Sequence, residues 1–271
     1  MMTKIKVGII GCGTIGSEIA KACEARLSGF FELAALCDKD EAKTAAVAGL
    51  LKKKTAAFSA DELIRQVDLV IEAASASISA GIVEKCIKRK KDCLVMSVGG
   101  LLGKESLLQQ AAAAGVKVYI PSGALCGIDG LKSASVGKID SVTLTTRKPP
   151  KGLEGAPYLK EKNIDISEIK KETVVFEGSA EEAVRGFPAN VNVSAVLSLA
   201  GIGAKKTRVR IVTSPEYTKN VHEVEVAGDF GVLSARTENA PSAANPKTSA
   251  LAIFSAIATL EGIAKSVRIG T

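Results

Sequence analysis

"KIKVGIIGCGTIGSEIAKACEARL", residues 4–27, decides the fold. It opens on "KIKVGII", a short apolar run closed by glycine, the pattern of a strand buried on both faces. Gly11, Gly13 and Gly16 follow as G-x-G-x-x-G, and "SEIAKACEARL" then carries apolar residues at helical spacing. "FELAALCD" (31–38) is a second buried strand. Strand, glycine turn, helix and strand make one βαβ unit of about 30 residues. Three glycines at this spacing are weak evidence alone; between a strand and a helix they are specific.

Each glycine then has a task. Gly11 permits the tight turn, Gly13 lets a pyrophosphate approach the backbone, and Gly16 lets helix and strand pack closely. Thr14 and Ile15 complete the turn, at a helix N-terminus whose amides and dipole favour phosphate. Asp38 ends the second strand, 22 residues after Gly16, where a carboxylate accepts both ribose hydroxyls of NAD and repels the 2′-phosphate of NADP. The competing reading of Asp38 is a turn residue in "DKDE", and the adjoining Lys39 softens the discrimination. The expected cofactor is NAD, with NADP as the alternative.

Outward from this unit the alternation continues. Strands are expected at 67–74, 92–98 and 116–121, with helices at 79–90 and 104–115 between them. Strands spaced by helices predict an α/β fold, a Rossmann-type doubly wound parallel sheet. The loops at the strand ends, 73–77, 97–100 and 121–127, are rich in small residues and leave room for a ligand. Beyond "PSGALCGIDG" the texture changes. Alternating, β-branched segments at 138–149, 172–180, 206–214, 220–228 and 231–239 predict a second, α+β domain with a mostly antiparallel sheet, covered by a helix at 190–203. The chain closes on an apolar helix drawn from "NPKTSALAIFSAIATLEGIAKSV", capped by Asn245 or Thr248. The expected organisation is a dinucleotide-binding domain over 1–124 and a catalytic and dimerisation domain over 125–244. A final helix over about 245–271 packs back on the first domain.

Bulk composition narrows the function. The net charge is +7, yet aromatic residues are 4% and tryptophan is absent, which argues against nucleic acid. The basic runs "LKKK" (51–54) and "IKRKKD" (87–92) suit helix ends, where cations meet the dipole. No apolar run approaches a membrane span of about 18 residues, and the N-terminal apolar run is too short for a secretion signal. A cytoplasmic protein without a membrane partner is expected. The six cysteines form no CxxC pair and there is one histidine, so no metal site is expected.

A nicotinamide reaction needs a group that moves a proton, and three side chains compete. His222, the lone histidine, lies in "NVHEVEVAG", where alternation puts it with Val224 and Val226 and opposite Val221, Glu223 and Glu225. A packed core histidine fits the same pattern. Cys126 in "GALCGID" would serve a semialdehyde dehydrogenase as nucleophile, or is simply a small buried residue. A desolvated lysine is the third, and among so many lysines the sequence nominates none. Arg147, Lys148, Arg208 and the serines of "AASAS" and "SVGG" are unassigned donors for a substrate carboxylate.

Five segments, "GIIGCGTIG", "PSGALCGIDG", "FPANVNVSAVLSLAG", "NVHEVEVAGDFG" and "ENAPSAANPKTSALAIFSAIATL", resemble the L-aspartate dehydrogenase family from end to end. The resemblance implies NAD(P)-dependent oxidation of L-aspartate to iminoaspartate, which hydrolyses to oxaloacetate and ammonia, a supply for NAD biosynthesis, and a homodimer. It also implies that Ala124 and Asn190 contact the cofactor and that His222 is catalytic. The competing reading of Asn190 is a helix cap after Pro188. The paired histidines of dihydrodipicolinate reductase are missing, and a non-catalytic NAD-binding regulator is the remaining rival.

Overall fold

The computed structural model describes residues 3–52, 55–187, 191–267 and 269–270. It resolves two compact units, Met1–Pro121 with Ala252–Val267, and Ser122–Leu251 with Arg268–Thr271. The first unit runs β1 (Ile5–Ile10), α1 (Thr14–Glu24), β2 (Phe31–Cys37), α2 (Glu41–Leu50), β3 (Ala56–Ala57), α3 (Ala60–Gln66), β4 (Leu69–Glu72), α4 (Ala76–Lys88), β5 (Asp92–Val95), α5 (Ser106–Ala113) and β6 (Val118–Tyr119). All its ladders are parallel, in the order β3-β2-β1-β4-β5-β6. The order reverses at β1, whose neighbours are β2 and β4, and such a reversal opens the crevice that binds dinucleotides. Val7, Ile9 and Ile10 of β1 are buried and join Ile19, Ala20 and Cys23 of α1 in one core.

β4, β5 and β6 are shorter than the apolar runs that announce them. Past Glu72 and Val95 the chain leaves the ladder, because the amides of Ala74 and Ser97 turn to the Glu72 carboxylate instead of a neighbouring strand. β3 is a two-residue edge strand, too short to leave a pattern.

The second unit runs α6 (Ile128–Ala134), β7 (Ile139–Lys148), α7 (Pro157–Glu161), β8 (Thr173–Ser179), α8 (Ala180–Gly186), α9 (Val191–Ala200), β9 (Arg208–Thr213), β10 (Asn220–Gly228), β11 (Gly231–Asn239), β12 (Pro241–Ser242) and β13 (Asn245–Ser249). Its main sheet has the order β11-β10-β7-β9-β8 and is antiparallel except for the β7–β9 pair. Val142, Leu144, Val209, Ile211, Val224 and Val226 share one face and pack with Ala180, Ala183 and Leu197 of α8 and α9. A box in which Ser179 and Glu182 cap each other's backbone starts α8.

The final helix, α10 (Ala250–Ala264), starts later than expected. Residues Asn245–Ser249 pair with Pro241–Ser242 as a small antiparallel ribbon, so neither Asn245 nor Thr248 caps the helix. Pro246 cannot donate in a helix interior, and the ribbon supplies partners that local periodicity does not reveal. Ala256 and Leu260 of α10 are buried in the core of the first unit. Among the described residues no helix is long and apolar enough to cross a membrane, and no cluster of three or more His, Cys, Asp or Glu could hold a metal.

Candidate active site

In the first unit the glycine turn is built as a cradle. Gly11 has φ +104°, and a Cβ there would lie 2.5 Å from the Ala73 carbonyl group. A Cβ on Gly16 would lie 1.9 Å from the Gly11 carbonyl oxygen, so α1 packs on β1 only without one. A Cβ on Gly13 would meet nothing within 4 Å. Gly13 is also the N-cap of α1 and, having no side chain, supplies no side-chain cap bond there. An open backbone surface over a helix N-terminus fits a pyrophosphate. Thr14 and Ile15 lie in the first turn of the same helix.

Asp38 braces this cradle. Its carboxylate accepts from the Cys12 amide (2.7 Å) and the Asp40 amide (3.0 Å). Burial opposes its ionisation, but those amides, with Lys43 and Lys39, hold its pKa below the usual carboxylate value. Each oxygen keeps lone-pair capacity for a ribose hydroxyl. Sequence reasoning missed Glu72, which is fully buried at the end of β4. Its two oxygens accept from the amides of Ala74 (2.8 Å) and Ser97 (3.0 Å), tying together the loops after β4 and β5. Burial outweighs these bonds and raises its pKa. An acid closing the otherwise apolar run "LVIE" was the available signal.

In the second unit the helix-covered face of the main sheet is apolar along most of its length and polar at one end. Along β7 the inward residues run Val142, Leu144, Thr146, Lys148; along β10 they run Val226, Val224, His222, Asn220. Thr213 of β9 pairs with Lys148, and Thr237 of β11 pairs with His222. His222 is 5% exposed, and its Nδ1 lies 3.0 Å from Thr146 Oγ1. Among the described residues Nε2 makes no hydrogen bond, so it is the ring nitrogen left for a reactant. Burial first, then the charge of Lys148, pushes the imidazole pKa down to about 4. The ring is therefore neutral at neutral pH.

Ala124 sits at the same end of the same unit. Its carbonyl oxygen accepts from Thr237 Oγ1 (3.1 Å) and Asn239 Nδ2 (3.2 Å), and Ser249 Oγ donates to Asn239 Oδ1 at 2.6 Å. Two candidates, Ala124 and His222, are thus brought together through Thr237. Asn190 lies outside the described residues. Arg147 and Arg208 point to the opposite face of the sheet, where Arg147 pairs with Glu223 and Arg208 with Glu177. Of the cationic candidates for a carboxylate, only Lys148 shares the face of His222. Cys126 is free and half-buried, and among the described residues no hydrogen bond joins it to His222.

A family model described as "Aspartate dehydrogenase, C-terminal" matches residues 129–263, and one described as "Homoserine dehydrogenase, NAD binding domain" matches residues 11–121. The L-aspartate dehydrogenase of Methanosarcina acetivorans is 50% identical, covering 98% of this chain and 100% of the relative. The chain belongs to the L-aspartate dehydrogenase family. A bacterial member from Bradyrhizobium diazoefficiens is 40% identical over 99% of this chain and 95% of its own. The crystal structure of aspartate dehydrogenase from Thermotoga maritima superposes with TM-score 0.78 at 26% identity, covering 99% of this chain and 100% of that one. Members of the L-aspartate dehydrogenase family are NAD(P)-dependent oxidoreductases, and the Gly11–Gly16 cradle fits such a cofactor.

The neutral His222 gives this member of the aspartate dehydrogenase family a specific acid sensitivity. The folded pKa, about 4, lies below the unfolded value of about 6.5. Between these values the unfolded chain binds more protons, so stability is lost as pH falls from 6.5 towards 4, by up to on the order of 3 kcal/mol. Thermal unfolding of the wild type and of His222→Asn across this window isolates the contribution. The wild type is expected to lose more stability on acidification than the variant, and parallel curves exclude His222 as the source.

Proposed function

We propose that the chain oxidises L-aspartate at Cα with NAD, giving iminoaspartate, and that His222 promotes its hydrolysis to oxaloacetate and ammonia. The reading is carried by the buried, neutral His222, held by Thr146 at the polar end of an apolar sheet face, its Nε2 making no hydrogen bond among the described residues. Kinship with L-aspartate dehydrogenases supports the substrate.

Gly11, Gly13, Thr14, Ile15 and Gly16 would hold the pyrophosphate, Asp38 the adenosine ribose, and Ala124 and Asn190 the remainder of the dinucleotide. When bound, the dinucleotide supplies the acceptor for the hydride leaving Cα. His222 Nε2 would then take a proton from the water adding to the protonated imine and return it to the nitrogen of the carbinolamine, and as the C–N bond breaks and ammonia leaves, the hydroxyl proton passes back to Nε2. Asp38 favours NAD over NADP by repelling the 2′-phosphate. Release of iminoaspartate before hydrolysis would supply pyridine-nucleotide synthesis, and the working form is a homodimer.

The test is reduced-cofactor formation with NAD or NADP against a panel of amino acids and aldehydes. L-Aspartate with NAD is expected to give the highest kcat/KM. Response to an aldehyde, abolished by thiol alkylation, would point to Cys126 and overturn the reading; silence across the panel would favour a regulator.

A further inference from the structure

Lys148 is the cation that the proposed mechanism leaves unused. It follows Thr146 by two residues on β7, and so projects from the same face as Thr146 and its partner His222. It is only 7% exposed. The backbone is pinned there, since Thr213 Oγ1 donates to the Lys148 carbonyl oxygen at 2.8 Å. Its aliphatic stem packs beneath the turn at Pro150–Gly152: a Cβ on Gly152 would lie 3.6 Å from Lys148 Cδ.

Among the described residues no carboxylate pairs with Lys148 and no hydrogen bond reaches its Nζ. The groups facing it across the sheet are Thr213 from β9 and Asn220 and His222 from β10, none of them acidic. Glu223, Glu172 and Glu238 lie elsewhere and pair with Arg147, Arg236 and Lys219. A buried charge without a partner is unfavourable to the fold and is retained where a ligand completes it. Burial draws the Lys148 pKa down to about 8, which leaves it mostly protonated at neutral pH.

We propose that Lys148 is the receptor for a carboxylate of the amino-acid substrate, seating that substrate beside His222. The inference rests on the function proposed above and names a specificity residue for it. A fixed cation beside the reacting carbon repels the substrate ammonium, so it also favours the neutral amine from which an imine can form. Pairing has a further effect on the base. Lys148 is one of the two causes that depress the imidazole, so a carboxylate that neutralises Lys148 lets His222 regain basicity when substrate is bound.

Full-length wild type, Lys148→Met and Lys148→Arg are compared with L-aspartate at saturating NAD. Loss of a charge-assisted pair is expected to raise KM for L-aspartate roughly 10- to 100-fold in Lys148→Met, with NAD affinity unchanged and Lys148→Arg partly restored. Succinate, a dicarboxylate without an amine, should inhibit the wild type and lose potency in Lys148→Met. In the wild type the acid limb of kcat should lie at higher pH than that of kcat/KM, and the gap should close in Lys148→Met. Thermal unfolding guards against a merely structural effect. The unfolded chain binds more protons than the folded one between about pH 8 and 10.5, so at pH 7 the fold carries the unfavourable charge in full. Lys148→Met should therefore unfold at higher temperature than the wild type at pH 7, with the advantage shrinking as pH rises past 8.

A wild type that ignores L-aspartate overturns the functional reading and this inference together. An active wild type whose Lys148→Met variant keeps KM within twofold overturns this inference alone. A fall in kcat with unchanged KM in both variants also overturns it, since it would make Lys148 the base instead.

Discussion

Replacing His222 with alanine is expected to lower turnover of L-aspartate by about 10²–10⁴, with NAD affinity unchanged. The size follows from the role. A proton mover removed from an otherwise intact site takes its own contribution with it and leaves cofactor binding in place. The second nitrogen is committed to Thr146 at 3.0 Å, so in the proposed reaction one ring atom would do the chemistry and the other would set its direction. His222→Asn keeps a polar group for Thr146 without a titrating nitrogen, and should fall nearly as far as alanine. In the free enzyme the imidazole titrates near 4, so the acid limb that it imposes on kcat/KM should lie well below the ordinary histidine value. Turnover within threefold of wild type in both variants removes His222 from the reaction.

The second large effect separates two glycines three residues apart. Gly16→Ala places a methyl carbon 1.9 Å from the Gly11 carbonyl oxygen. Neither side can give way cheaply. Gly11 donates its amide to the Cys37 carbonyl at 2.7 Å and already sits at φ +104° against the Ala73 backbone. Helix α1 must lift from β1, at a cost of about 3 kcal/mol or more, seen as a fall in melting temperature of roughly 6–12 °C. Gly13→Ala is the contrast. Nothing lies within 4 Å of its new methyl group, and φ −77° suits alanine. The unliganded protein should melt as the wild type does, while NAD affinity falls roughly tenfold or more because the methyl fills the phosphate's approach. Unchanged NAD binding in Gly13→Ala would show that the cradle holds something else.

The first unit was legible because buried parallel strands announce themselves as apolar runs, and a glycine turn between strand and helix has few other uses. What the runs could not give was their ends. β4 and β5 stop where Glu72 gathers the amides of Ala74 and Ser97, a contact across 25 residues that no local pattern encodes. In the second unit, alternation put His222 in phase with Val224 and Val226, and the structure keeps them on one face. The same alternation in "VTLTTRK" puts Lys148 in phase with Leu144 and Thr146, but its meaning depends on β7 lying beside β10. That pairing joins residues about 75 apart in the chain and sends Arg147 to the far side with Glu223. The ribbon Asn245–Ser249 was lost for the same reason, since its partner lies outside its own periodicity.

Asp38 bears on how coenzyme choice in this protein could be redesigned. The carboxylate that would discriminate at the ribose also receives the Cys12 amide from within the glycine turn. On the proposed reading, selectivity and loop architecture would be carried by one side chain and could not be varied independently. A route to NADP that simply deletes the acid would leave the Cys12 amide without its acceptor and loosen the platform for both coenzymes. A workable redesign keeps a short acceptor at position 38 and adds positive charge alongside, where Lys39 already stands.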